Sequence, residues 1–256
     1  MDERLMHAML AADEHHWWYR GRRRIIAVEL ANLPLPANGK VLDAGCGSGR
    51  TLPELTAYGE VSGIELDPDA ADVARGRGDY DVRIGRLEEL PWPDATFDLI
   101  TCLDVIEHTP DDEVTLRELG RVTRPGGWLL VTVPAYQLLW SRHDEDNHHF
   151  RRYSRGPLRR VAARTGWEVR RMTSFNSLLL APAAVVRLAQ KRSRPENGDH
   201  FKADLNIGPT WLNGVLEQPL RAESRWLARG RRLPAGLSLL AVLQRPPGPD
   251  SAAARG

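Results

Sequence analysis

The sequence predicts an α/β protein built on a mostly parallel seven-stranded sheet flanked by helices. Two observations predict it. Short β-rich apolar runs alternate with helical stretches from Lys40 onward, and the first such run ends in a glycine-rich turn that opens a helix. A third observation sets the scale: 256 residues, 42% hydrophobic and 27% charged with a net charge of +1, suit one large domain or a domain with an appended lobe, and exclude disordered and collagen-like chains.

Taken in order, Arg22 to Leu33 reads as a leading helix closed by Pro34, Pro36 and Gly39. Strands are expected at Val41 to Ala44, Val61 to Glu65, Val82 to Ile84, Asp98 to Cys102 and Trp128 to Val133, with helices at Arg50 to Tyr58, Pro68 to Arg75 and Asp111 to Val122 between them. Regular alternation implies right-handed crossovers and helices on both faces of the sheet. A helix from Gly156 to Thr165, a strand from Trp167 to Thr173 and a closing strand from Leu237 to Leu243 follow. Ser177 to Arg232 reads as helices broken near Pro195 and Pro209, an insertion before the last strand. The expected organisation is an N-terminal helical lid segment over 1–39, a ligand-binding core over 40–175, a helical insertion over 176–235 serving as an acceptor or dimer lobe, and a last strand with a disordered tail over 236–256.

Cys46 and Cys102 lie far apart in unlike contexts, so they build neither a disulfide framework nor a four-cysteine zinc site. Both read as small core residues. Met1 to Leu10 is charged, and the longest apolar run, Leu178 to Val186, falls short of the roughly 18 residues a membrane span needs. A cytoplasmic protein is expected. Residues 1–150 carry 15 basic and 27 acidic residues, and residues 151–256 carry 20 and 7, so the two parts hold −12 and +13. Such a split suits a C-terminal part that meets something anionic, or a basic lobe folded beside an acidic one.

Val41-Leu-Asp-Ala-Gly-Cys-Gly-Ser-Gly49 runs from strand through a glycine turn into a helix, which lets a ligand approach the backbone. The spacing is G-x-G-x-G, not the dinucleotide pattern G-x-G-x-x-G, and Asp43 ends the strand just before it. A carboxylate there repels pyrophosphate and suits an ammonium group. Glu65 follows Gly49 by 16 residues at the end of the second strand, where it can accept both hydroxyls of a ribose and reject a 2′-phosphate. The implied ligand is a nucleoside without phosphates.

With these motifs the sequence resembles the class I S-adenosylmethionine-dependent methyltransferases of the bacterial small-molecule type. The resemblance continues through Gly85 to Ile100, Leu103-Asp-Val-Ile-Glu-His108 and Arg117 to Gly127, covering about Lys40 to Val133 in the order the fold needs. It implies a Rossmann-like class I fold and S-adenosyl-L-methionine as cofactor. By that resemblance Asp43, Gly45, Cys46, Gly47 and Gly49 line the methionine part, Glu65 holds the ribose and Leu66 packs on the adenine. Arg86 stands where many relatives carry an Asp for the adenine amino group, while the backbone of Leu87 can still read the ring. Leu103 flanks the sulfonium, and Glu107 and His108 cap the next segment or, for His108, join the cofactor site. Arg22 can pair with the methionine carboxylate. Tyr19 is placed with these residues, although His16-Trp-Trp-Tyr19 also reads as lid packing.

The family places its acceptor contacts after the fifth strand, where this chain carries Trp140-Ser-Arg-His-Asp-Glu-Asp-Asn-His-His-Phe-Arg-Arg-Tyr153. A hydroxyl acceptor usually needs a base. His143, His148 and His149 titrate near neutrality, and His149 with Asp144 as helper is favoured, His143 being the other candidate. A hydrogen-bonded lid is the alternative account of the same cluster. A metal held by His143, Asp144 and His148 is disfavoured by the short loop and the lack of cysteine support, and no metal is expected. Ser177 to Arg187 with Lys191, Arg192 and Arg194 joins an apolar stripe to cations, which suits an anionic membrane surface or lipid-linked acceptor, a buried helix or a homodimer contact. The arginine runs lack a nucleic-acid recognition module. The expectation is methyl transfer to oxygen or nitrogen of a small-molecule acceptor, a specialised metabolite or an envelope sugar or lipid-linked intermediate; the alternative is a cofactor-binding partner module without catalysis.

Overall fold

The computed structural model describes residues 16–185 and 210–248. In chain order the elements that position the site are α1 (Trp17–Leu30), β1 (Lys40–Ala44), α2 (Leu52–Leu55), β2 (Glu60–Glu65), α3 (Pro68–Arg75), β3 (Asp81–Ile84), β4 (Phe97–Leu103), α4 (Asp112–Val122), β5 (Thr123–Pro134), α5 (Arg142–Asp146), α6 (Arg155–Arg164), β6 (Glu168–Phe175), α7 (Thr210–Ala228) and β7 (Ser238–Gln244). The sheet has seven strands in the order β3-β2-β1-β4-β5-β7-β6. Strands β1 to β5 pair in parallel, with Val41 opposite Val61 and Leu99, Glu65 opposite Ile84 and Cys102 opposite Val131. β7 is antiparallel: Arg245 bonds back to Gly126 and Gly127 at one end, and Leu237 O accepts from Ala135 N at the other. This is the predicted α/β architecture, with helical residues between β6 and β7.

By compactness the chain divides into two units, Pro34–Val133 with Arg155–Met172 and Leu240–Gly256, and Met1–Leu33 with Pro134–Ser154 and Thr173–Leu239. In the first, β1, β4 and β5 form the core, with Val41, Leu42, Leu99, Ile100, Leu129 and Leu130 sealed from solvent. Near-continuous apolar runs are what strands covered on both faces require. Asp67 and Asp111 cap α3 and α4, each accepting from two backbone amides of the first turn. The α4 face carrying Leu116 and Leu119 is buried, and the Trp167 indole donates to Leu116 O at 2.9 Å. Thr123 pairs with Phe97 and Trp128 with Leu99, so the Pro125-Gly126-Gly127 corner lies inside a bulged strand and β5 starts earlier than expected. Arg50 to Tyr58 is shorter in helix than expected. Only Leu52–Leu55 is α-helical, followed by a 3-10 turn over Thr56–Tyr58.

In the second unit α1 begins at Trp17, five residues before the predicted start, because the His16 ring accepts from Trp18 N at 3.3 Å and caps it. Histidine is a weak sequence signal for a cap. Trp18 stacks on Phe175 with ring centroids 5.7 Å apart, and Trp17 N donates to Asn213 Oδ1. Along α1 the apolar Ile25, Ile26 and Leu30 are buried, and along α7 so are Leu220 and Leu227. The two helices meet at Gly21, where an added Cβ would lie 2.2 Å from Leu220 Cδ1. Glu223 of α7 accepts from the backbone amides of Asn176 and Ser177 at 2.6 and 2.7 Å, fixing the chain as it leaves β6. The segment after β5 is pinned at its base, where Tyr136 N donates to Tyr153 O and Tyr153 N to Pro134 O.

Candidate functional site

The chain reverses its direction of strand addition between β1 and β4, and the glycine loop leaves β1 at that switch. Gly45 and Gly47 adopt φ values of 77° and 54°, where a side chain is strained. At Gly45 a Cβ would also lie 2.6 Å from Val105, whereas at Gly47 it would meet nothing within 4 Å. The loop is therefore packed at its root and open at its tip. Gly49 packs against Ala74 of α3.

Two carboxylates shape this region. Asp43 is buried, and its oxygens accept from the hydroxyls of Thr101 (2.7 Å) and Thr51. Thr101 is its register partner across β1 and β4. Glu65 ends β2, where one oxygen accepts from Gly47 N at 2.8 Å and the other from Leu66 N and Asp67 N at 2.9 and 3.0 Å. A carboxylate offers about four acceptor positions, so Glu65 keeps capacity for a hydroxyl donor. Leu66 beside it is 59% exposed, and Ile84 at the end of β3 is 47% exposed. Two solvent-facing aliphatic side chains flank an acid, as a flat apolar ring joined to a diol would require. Leu87 is buried, Arg86 is exposed with Glu88 as its ion partner, and Leu103 closes β4. Glu107 is buried and His108 exposed in the 3-10 turn that follows.

Cys46 is buried in this loop, and its thiol is pushed far up, first by burial and then by the charges of Asp43 and Glu65. Cys102 is fully buried and shifted the same way, by burial first and then Glu107. Both environments favour the thiol over the thiolate.

The other group of predicted residues lies in the second unit. Asp144 is sealed from solvent, and its carboxylate accepts from Ser141 N at 2.8 Å, from Arg152 Nε at 2.6 Å and from His149 Nδ1 at 2.9 Å. Burial opposes the charge of Asp144, but the bonds from His149 and Arg152 outweigh it and hold the carboxyl well below the usual carboxylate range. Arg152 is itself buried, donates to Ala135 O at 3.3 Å, and its backbone N–H is taken by Gln137. A buried carboxylate persists only when matched, and here one guanidinium matches it. Asp144 thus engages the ring of His149 through Nδ1 and leaves Nε2 as the nitrogen on the side away from the carboxylate. His148 stands at φ 55° and is exposed. His143 falls in α5, and its side chain lies outside the described residues. Tyr19 and Arg22 lie on α1, both half-buried. Of the apolar and cationic stripe, Val186, Arg187, Lys191, Arg192 and Arg194 lie outside the described residues, as do the expected helix breaks at Pro195 and Pro209.

Thr51, Thr101, Ser141 and Arg152 were not singled out by residue type. Thr101 becomes legible only with the register, and Arg152 only once the loop closes on Asp144.

A switch-point glycine loop framed by Asp43 and Glu65, in this strand order, defines a class I methyltransferase domain. Residues 42–131 match the sequence family described as "Methyltransferase domain". Over 124 residues the chain is 41% identical to a probable S-adenosylmethionine-dependent methyltransferase of Mycolicibacterium smegmatis, a match covering 47% of each. Over 118 residues it is 36% identical to 27-O-demethylrifamycin SV methyltransferase of Amycolatopsis mediterranei, covering 40% of this chain and 43% of that one. The matches thus span somewhat less than half of the relatives' length. Among solved structures, a chain of the complex between the Haloferax volcanii Trm112 methyltransferase activator and a methyltransferase superposes with a TM-score of 0.60 at 20% identity, covering 93% of this chain and 92% of that one. That likeness concerns the fold. Among the described residues no helix is long and apolar enough to cross a membrane.

Proposed function

We propose that this chain moves the methyl group of S-adenosylmethionine to an oxygen of a small-molecule acceptor, with His149 as general base and Asp144 as its orienting partner. The observation that carries the choice of oxygen is the His149–Asp144 contact of 2.9 Å. A hydroxyl must lose its proton as it attacks, and a base held in one tautomer by a buried carboxylate suits that task. An amine acceptor needs less help. The rifamycin relative, by its name, modifies an oxygen, which supports the same reading. A specialised metabolite, or an envelope sugar or lipid-linked intermediate, is the proposed acceptor class.

The residues fit the cofactor. Asp43 and the Gly45-Cys46-Gly47 turn, with Gly49, would hold the methionine part, Glu65 the ribose, Leu66 with Arg86 and Leu87 the adenine, Leu103 the sulfonium side, with Tyr19, Arg22 and His108 proposed as further contacts. When bound, the sulfonium supplies an activated methyl group, so the protein contributes alignment, exclusion of water and proton removal. Asp43 favours a cation in its surroundings and disfavours phosphates, consistent with a phosphate-free nucleoside.

Calorimetry with S-adenosylmethionine and its demethylated product, followed by transfer of labelled methyl into a cell extract, tests the proposal. Uptake of both compounds with a labelled, alkali-stable ether or an ester product is expected. Binding without product across extracts would favour a non-catalytic module, and preference for a dinucleotide would overturn the reading.

A further inference from the structure

We infer that the α1–α7 face carries an anion site for a phosphate or pyrophosphate group, formed by Arg20, Arg24 and Arg221. All three converge on one carboxylate, Glu217, which is 1% exposed. Arg20 Nη2 lies 3.2 Å from Oε2, and Arg24 Nε and Arg221 Nε lie 3.1 and 2.8 Å from Oε1. The convergence follows from the local packing. Gly21 lets α1 approach Leu220 of α7 closely, and the residues one position before and three positions after Gly21 then flank the seam, opposite Glu217 and Arg221. Arg20 and Arg24 share one helical face, as do Glu217 and Arg221.

The charge count is what a helix clamp does not explain. One guanidinium neutralises Glu217, and three leave a net charge of +2 at one spot. Like charges so placed repel, and the excess is tolerated at a half-exposed surface where an anion can complete the set. The side chains are 38%, 49% and 34% exposed. Arg24 and Arg221 engage Glu217 through Nε, so the bonds to the carboxylate use one of the five donors of each guanidinium. Among the described residues no second acid is paired with Arg20, Arg24 or Arg221. Among the described residues of this unit, Glu29, Asp144, Glu217 and Glu223 are buried, and the exposed acids are Glu145 and Asp146 on α5. Planar forks arranged around a shared centre match tetrahedral phosphate oxygens better than a single carboxylate. This site is independent of the methyl-transfer reading, and its test uses binding alone.

The full chain would be titrated with pyrophosphate by calorimetry and, separately, sedimented with phosphatidylcholine vesicles with and without phosphatidylglycerol. Saturable pyrophosphate binding is expected, weakened about tenfold in Arg24→Gln and in Arg221→Gln and strengthened in Glu217→Gln, since each guanidinium lost removes a charge-assisted contact. Sedimentation that depends on phosphatidylglycerol and falls in the same arginine variants, without pyrophosphate uptake, would assign the site to a lipid headgroup. Circular dichroism melts confirm that each variant folds, and if Arg24→Gln does not fold, Arg221→Gln decides. Absence of both kinds of binding, or binding that both arginine variants retain unchanged, would overturn the inference.

Discussion

His149 holds its Nδ1 2.9 Å from the Oδ1 of Asp144, the same oxygen that Arg152 Nε reaches at 2.6 Å. The carboxylate thus serves two cations or near-cations at once. Arg152 balances its charge, and the contact to Nδ1 fixes how the His149 ring is turned, with Nε2 on the side away from Asp144. His149→Ala is expected to lower methyl transfer by about 10²–10⁴-fold while leaving affinity for S-adenosylhomocysteine unchanged. Turnover of labelled cofactor and calorimetry separate the two effects. Full turnover in the variant would leave His149 with a structural role only.

Acid stability should depend on Asp144. Its carboxyl is held below the ordinary value of 3.8 in the folded chain, so the unfolded chain binds the proton first as pH falls. The stabilisation is complete above the unfolded value, from about pH 5 upward, and is lost as pH drops toward the folded value. Glu223 acts with the opposite sign, because burial raises it and its contribution declines as pH rises past its ordinary value. Asp144→Asn should therefore melt lower at pH 7, by about 3–5 kcal/mol for the stranded Arg152 charge, and should show a flatter decline between pH 5 and pH 2. Urea melts across that range measure both. An unchanged slope would mean that Asp144 is not the group responsible.

The sheet was legible because strands covered on both faces write continuous apolar runs, and Val41 to Ala44 and Asp98 to Cys102 fall within β1 and β4. The glycine loop was legible because its spacing is local. What sequence could not convey was partnership across distance: Thr101 meets Asp43 only through the register of β1 and β4, and Arg152 meets Asp144 only through a closed loop. The start of α1 was missed for another reason, since a histidine caps it in place of Ser, Thr, Asp or Asn.

Glu65 has two tasks, and its removal should reveal both. It ties the loop to β2 through Gly47 N, Leu66 N and Asp67 N, and it is proposed to hold the ribose. Glu65→Ala should weaken S-adenosylhomocysteine binding by about 1–3 kcal/mol, the range for hydrogen bonds to a charged acceptor, and should lower Tm. If calorimetry shows the affinity intact while Tm falls, the residue serves the loop and not the ligand.

Gly21 tests whether helix propensity or packing governs the α1–α7 seam. Alanine at a mid-helix glycine normally stabilises by about 1 kcal/mol. Here the new methyl would stand 2.2 Å from Leu220 Cδ1 and 2.6 Å from Leu220 Cβ. Leu220 is fully buried, so its side chain has no open space to enter, and its Cβ moves only if the helix does. Overpacking of this kind costs about 1–3 kcal/mol, which equals or exceeds the propensity gain. Gly21→Ala is thus expected to be destabilising overall and to weaken anion uptake at Arg20, Arg24 and Arg221, because parting the helices spreads the three guanidiniums. A rise in Tm would show that the seam has room for a methyl group at Gly21, and would overturn the close α1–α7 approach that brings the three guanidiniums to Glu217.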